Sequence, residues 1–365
     1  MTASIQLSPC PTRKLEHQIS IAAQEVALHH AQNFFWSSWH SWNALNTGTP
    51  EPTRKFWDAL APFGTCLGVS THIYFALRNA LAEHADPNVQ AYTEQVKLMT
   101  CAQHATSEMG YHAIVALCFD THATVIDHSL HSTAFKVPLG GEFAMQSYIP
   151  LFGEPGQERF KYFRNEAGAS KLTMDSVVPT YPALSFTEMD VDASVTQLAI
   201  PAARTLKPLK SHPDIMLPPR KYLAVRSLLD VEPARISSVP VNGKFLATTL
   251  RVQIDFGEPA LLMQVPRADW LTEDQGMAWI GRITAMPGFR LHCSASAHLK
   301  VGLSAKFAAK MGKAEREELE IMASLGEEFG LDRQIVFDLV ESVFRVWGPC
   351  RDGFGSLVID MPQCP

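Results

Sequence analysis

Three residue types that together make an activated thiol occur in order within the stretch from Phe63 to Gly141: Cys66, His112 and Asp127. Cys66 lies in Phe63-Gly64-Thr65-Cys66-Leu67-Gly68-Val69-Ser70, just after Pro62. His112 opens the apolar run Tyr111-His112-Ala113-Ile114-Val115-Ala116-Leu117-Cys118, and Asp127 closes the next, His122-Ala123-Thr124-Val125-Ile126-Asp127. A free thiol has a pKa of about 8.5 and is mostly protonated at neutral pH, whereas a helix N-terminus or a neighbouring imidazolium favours the thiolate. The chemistry implied is a thiolate nucleophile, an imidazole that takes and returns its proton, and a carboxylate that fixes the imidazole tautomer.

The elements that must position these groups can be read locally. After Cys66, the residues Val69, Ile73, Ala76, Leu77, Ala80 and Leu81 recur on one helical face, with Thr65 as N-cap, which puts Cys66 in a first turn of outward-pointing N–H groups. Those N–H groups suit an oxyanion, and Gln103 or Asn43 are further candidate donors. The other two residues fall on an expected β-hairpin, 111–118 and 122–128. A four-residue loop would set 117 against 122 and therefore His112 against Asp127, whereas a three-residue loop would set His112 against His128.

The order of a Cys at a helix start, a His at a strand start and an Asp at the end of the next strand resembles the transglutaminase-like and arylamine N-acetyltransferase-like branch of the papain-like cysteine fold. The likeness is carried by Ala123-Thr124-Val125-Ile126-Asp127-His128-Ser129 with Ala134-Phe135-Lys136-Val137-Pro138-Leu139-Gly140, and by the fifteen-residue step from His112 to Asp127. It covers roughly residues 60–141. The Arg-Gly-Gly-x-Cys run of true arylamine N-acetyltransferases is absent, Phe63-Gly64-Thr65 standing before the cysteine instead. The resemblance implies acyl transfer through a thioester on Cys66 to an amine, alcohol or carbon nucleophile, or hydrolysis and transamidation as in transglutaminase-like proteases; the alternative outside catalysis is a binding protein with a degenerate papain-like core. No metal and no resident cofactor are expected. The acyl donor would be an acyl-CoA or, in the absence of a basic coenzyme A site, a small-molecule or carrier-bound acyl group.

Composition sets the outer limits. A net charge of −6 without a Lys/Arg cluster argues against a nucleic-acid partner. There is no long uninterrupted apolar run, so no membrane partner is expected, and no secretory leader pattern stands at the N-terminus. Seven scattered cysteines suit a reducing compartment, so the expected location is cytoplasmic.

The expected fold class is α+β, divided into a papain-like catalytic core at 13–205 and a second α+β region at 206–365, a possible lid or acceptor-side domain. Helical spacing from Arg13 could run to about Asn43 through Phe34, Phe35, Trp36, Trp39 and Trp42, aromatics that read as core packing or as a pocket wall. Helices are expected at 53–60, 66–84 and 88–104, so that the first hundred residues form a bundle and the sheet starts only at Tyr111. Strands are expected at Ala144–Leu151, Thr180–Phe186 and Thr196–Ile200, with a Pro- and Lys-rich linker at 201–220. Beyond it the pattern gives a helix at Arg220–Leu229, strands at Lys244–Phe256, Ala260–Val265 and 289–293, helices at 268–284, 303–325 and 332–347, and a strand at Ser356–Ile359. His128 and His131 have a spacing that could be read as metal-ligating, but no second cluster completes a tetrahedron. Cys101 and Cys118 read as buried small hydrophobes. Glycine pairs lack a phosphate-loop context, and no Gly-x-Ser-x-Gly occurs.

Overall fold

The computed structural model describes residues 11–37, 40, 44, 54–101, 112–128, 131, 133–146, 157–175, 183–192, 214–217, 250–255, 260–266, 274–293, 299–306, 313–328 and 332–347. Within them the chain is α+β, mixed helix and largely antiparallel sheet. The expected elements at Thr196–Ile200, Arg220–Leu229 and Ser356–Ile359 lie outside the described residues, as do Trp39, Trp42, Asn43 and Gln103.

The chain begins with helix α1 (Arg13–Asn33), which ends where Phe34 turns extended, and strand β1 (Phe35–Ser37) follows. The expected continuation of this helix to about residue 43 is therefore corrected: the aromatic run pairs as a strand, Phe35 standing beside Phe63 of β2 (Phe63–Gly64). Large aromatic side chains pack well on a pleated surface, which favours this outcome over a further helical turn. Between β1 and β2 lies α2 (Arg54–Leu60), and directly after β2 comes the cysteine helix α3 (Cys66–Ala82).

A short helix α4 (Pro87–Gln90) and a 3-10 turn (Thr93–Gln95) lead into strand β3 (Val96–Thr100), so the helix expected over 88–104 is also corrected. Eight strands then share one sheet among the described residues. They are β3, β4 (Ala113–Cys118), β5 (His122–Ile126), β6 (Phe135–Pro138), β7 (Gly141–Gln146), β8 (Gln157–Arg164), β9 (Ser170–Asp175) and β10 (Leu184–Glu188). The spatial order is β6-β5-β4-β3-β10-β9-β8-β7. The two end strands are consecutive in sequence, and Gly140, at φ 77°, turns between them and donates its N–H to the Tyr162 carbonyl at 2.7 Å. This contact almost closes the sheet into a barrel, and only glycine takes that backbone conformation at little cost.

Alternation along β4 serves two cores. Ile114, Ala116 and Cys118 join Phe135, Phe143, Phe160, Tyr162, Leu172 and Phe186 inside the barrel. Ala113, Val115 and Leu117 face the other way, toward the α1 and α3 side chains Ile19, Ala23, Leu67, Ile73 and Leu77. A strand buried on both faces reads as a continuous apolar run, as 113–118 does.

A second sheet among the described residues has the order β14-β15-β13-β12-β11-β1-β2, where β11 is Asp214–Leu217, β12 Leu250–Asp255, β13 Ala260–Pro266, β14 Arg290–Cys293 and β15 Leu299–Lys306. Strand β15 replaces the start of the helix expected at 303–325, which begins instead at Lys313. Helices α5 (Asp274–Thr284), α6 (Lys313–Glu328) and α7 (Arg333–Trp347) send Trp279, Ile283, Leu319, Met322, Leu325, Val336 and Leu339 into the same core as α1 and α3. Because β1 and β2 come from the first sixty-five residues and β11–β15 from beyond residue 206, the two expected regions share this sheet. No helix among the described residues is long and apolar enough to cross a membrane.

Candidate active site

Cys66 is held at a junction. Strand β2 is an edge of the second sheet, paired in parallel with β1 and tied by the Phe35 N–H to the Pro62 carbonyl at 2.9 Å. One residue later α3 starts at Cys66, with Val69 N–H making the first helical bond to Thr65 O at 3.0 Å. Cys66 is 8% exposed and free of any disulfide. Close approach on both sides needs glycine here: a Cβ at Gly64 would come within 3.1 Å of Val69 N, and one at Gly68 within 2.7 Å of the buried Trp57 ring.

The helix is locked against the hairpin one turn further on. The hydroxyl of Ser70, which is 1% exposed, donates to the Ala113 carbonyl at 2.9 Å. Ala113 follows His112, so this bond fixes the distance between the first turn of α3 and the start of β4.

His112 and Asp127 meet at the end of the hairpin opposite its turn. The ring Nε2 of His112 lies 2.6 Å from Oδ2 of Asp127, and Asp127 is completely buried. The side chain of Cys66 is within hydrogen-bonding reach of the same imidazole. With Nε2 taken by the carboxylate, Nδ1 is the nitrogen left to exchange a proton with sulfur. Burial works against a charged ring, but the Asp127 charge and hydrogen bond, helped by Cys66, outweigh it and hold the His112 pKa well above the ordinary histidine range.

The register that brings this pair together differs from both sequence-based alternatives. The hairpin turns through only Asp120 and Thr121, with the Phe119 N–H bonded to the His122 carbonyl at 2.8 Å, and Cys118 pairs with Ala123. Continued by one step beyond Val115 and Ile126, this ladder puts Asp127 level with Ile114 rather than with His112. The shift from the four-residue-loop register is an even one, so Asp127 keeps the face of His112 and reaches it diagonally. His128 takes the opposite face and turns toward α1, where the carbonyls of His30 and Phe34 lie near its ring without forming a well-shaped bond. Burial drives its pKa down to about 4, so it stands there neutral.

Sequence reasoning missed the part played by Cys101. It sits one residue past β3, opposite His112, and donates its N–H to the His112 carbonyl at 3.1 Å. The reciprocal bond of an antiparallel pair goes to sulfur instead: the His112 N–H points at Cys101 Sγ, 2.9 Å away. The pattern that could have shown this is a cysteine at the end of an apolar run, facing a histidine at the start of another. Burial raises the Cys101 pKa and pushes that of Cys118 up to about 12, so both suit packing rather than nucleophilic work.

His131 turns Nδ1 onto the Thr133 carbonyl at 2.9 Å and packs against Phe135 and Phe143, away from His128. Among the described residues no group of three or more His, Cys, Asp or Glu side chains is arranged to hold a metal. Of the aromatic run before the site, Phe35 is buried against Phe63, while His40 stacks on Phe63 at 3.9 Å and is held near pKa 4 by burial. No protein-family model, curated protein or solved structure matches the chain.

Proposed function

We propose that the chain is a cysteine-dependent acyltransferase built on a papain-like core, with Cys66 as nucleophile, His112 as general base and acid, and Asp127 as the group that orients His112. The observation that carries this reading is the contact series Cys66–His112–Asp127 at the first residue of a seventeen-residue helix. In the first half-reaction the thiol proton rests on His112 Nδ1, held there by Asp127, and the Cys66 sulfur it has left attacks the carbonyl carbon of an acyl donor, forming a C–S bond. The donor's leaving group departs with the proton that His112 returns. In the second, His112 removes a proton from an amine, alcohol or carbon nucleophile, which attacks the thioester and restores the thiol. The N–H groups of the first α3 turn, which have no acceptor within the helix, would hold the oxyanion in both steps. The donor is a small-molecule or carrier-bound acyl group, and the part of the chain beyond 206 serves as lid or acceptor side.

Intact-protein mass spectrometry after incubation with p-nitrophenyl acetate or an acyl-pantetheine thioester tests this. The expected result is one acyl group, mapped to Cys66 and absent in Cys66→Ser and His112→Ala. Chase with an amine against chase in ¹⁸O-water then separates transfer from hydrolysis by the same fold. An acyl group found elsewhere, or equally on the His112 variant, would overturn the reading.

A further inference from the structure

Thr65 is the N-cap residue of α3, with extended backbone at φ −72° and ψ 177°, yet its side chain makes no capping bond. An N-cap threonine ordinarily accepts from an N–H two or three residues on. Here the hydroxyl is buried, the residue being only 9% exposed, and Oγ1 has no hydrogen-bond partner among the described residues. A buried hydroxyl left without a partner costs about 1–3 kcal/mol, and an acceptor that arrives with substrate would relieve that cost. Two independent features therefore adjoin Cys66 in the chain: N–H groups at a helix start that the cap residue does not use, and a buried O–H with no partner among the described residues.

We infer that the Thr65 hydroxyl is an oxyanion donor of this site, acting with the first-turn backbone N–H groups on the carbonyl oxygen of the acyl group. This rests on the reading of Cys66 as an acylated nucleophile. When sulfur attacks, the C–S bond forms and the carbonyl π pair moves to oxygen, giving an alkoxide. Thr65 donates a hydrogen bond to that oxygen and keeps its proton. On collapse the pair returns to carbon and the bond to the leaving group breaks. The ligand implied is an acyl compound with an unhindered carbonyl, an ester or thioester.

Two reactions of the same sulfur separate this role from a structural one. Acylation by p-nitrophenyl acetate passes through an oxyanion, whereas alkylation by iodoacetamide at an sp³ carbon does not. Thr65→Val keeps the shape and removes the O–H, and no cap bond is lost with it. It is expected to slow acylation by about 10²–10³-fold while leaving the alkylation rate within about twofold across the pH range. Thr65→Ser is expected to restore acylation to within about fivefold of wild type. Should Thr65→Val not fold, Thr65→Ala, which adds no bulk, carries the same comparison. Acylation undiminished in the Val or Ala variant overturns the inference, and so does an equal loss of both reactions, which would mark a structural role. A wild type that alkylates but is not acylated, or a His112→Ala variant acylated as fast as wild type, brings down the acyltransferase reading and this inference with it.

Discussion

His112 and Asp127 join at 2.6 Å across a ladder that does not set them opposite each other. The carboxylate reaches diagonally from the level of Ile114, and because it is fully buried its charge is felt through little solvent. Asp127→Asn keeps the shape but removes the main influence that favours a charged His112. The expected outcome is an acylation rate lower by about 10²–10⁴-fold and a His112 ring that titrates at lower pH. Stopped-flow acylation and NMR of the imidazole proton resonances check the two halves. An unchanged His112 titration would sink the assignment of Asp127 as its orienter.

The same pair makes stability depend on pH in a definite direction. The folded-state pKa of His112 is raised, so its contribution is fully present below the unfolded value of about 6.5 and is lost as pH rises through the raised folded value. Urea unfolding of wild type and His112→Gln, measured from about pH 5.5 to pH 10, should show the wild-type advantage greatest at the acid end and shrinking toward the alkaline end. A difference that stays constant, or that grows with pH, would contradict the charge state deduced for the ring.

Cys101 gives a prediction that chemistry at Cys66 alone would not suggest. Its sulfur replaces a backbone carbonyl as the acceptor for the His112 N–H, and its own N–H holds the His112 carbonyl. Cys101→Ala leaves a partly buried N–H without its acceptor, at a cost of about 1–3 kcal/mol. The loss should reach Cys66, because the imidazole is carried on the backbone that moves. Expected are a lower midpoint in urea and slower iodoacetamide labelling of Cys66 near neutral pH. Labelling equal to wild type would show that His112 is held without Cys101.

How far these features could be read from sequence depends on how local their causes are. The start of α3 at Cys66 is legible because Pro62, Thr65 and the apolar spacing from Val69 to Leu81 are all short-range signals. That His112 and Asp127 share a face is legible too, since an even register shift preserves it. Strand β3 was not, because Val96-Lys97-Leu98-Met99-Thr100 contains good helix formers and becomes a strand only by pairing with both β4 and β10. The same holds for β15, whose Leu299–Lys306 run is fixed between β13 and β14, and for β1, whose partner β11 lies far along the chain. The hairpin register misled because Phe119 and His122 close the turn, leaving a two-residue loop that the apolar pattern alone does not reveal. The state of the Thr65 hydroxyl depends on what surrounds it in space, and no spacing rule carries that.

Gly68 ties the first turn of α3 to the helix beneath it. It lies two residues after Cys66, and an added Cβ would stand 2.7 Å and 2.9 Å from the Cε3 and Cζ3 atoms of Trp57, which is only 1% exposed. Replacing glycine by alanine inside an exposed helix gains about 1 kcal/mol from propensity, but forcing a methyl group into a packed ring costs about 1–3 kcal/mol. The second effect wins because the Trp57 ring is buried in the core, while the bond between the His72 ring and the Trp57 carbonyl at 3.0 Å keeps α2 against α3. Gly68→Ala should therefore lower stability, where propensity alone would raise it. Trp57→Phe removes the two ring atoms in question, so the cost of Gly68→Ala should shrink or change sign in that background. A double-mutant cycle in urea measures the coupling, and a coupling near zero would mean that the close packing of Trp57 under the first turn of α3 does not exist in solution.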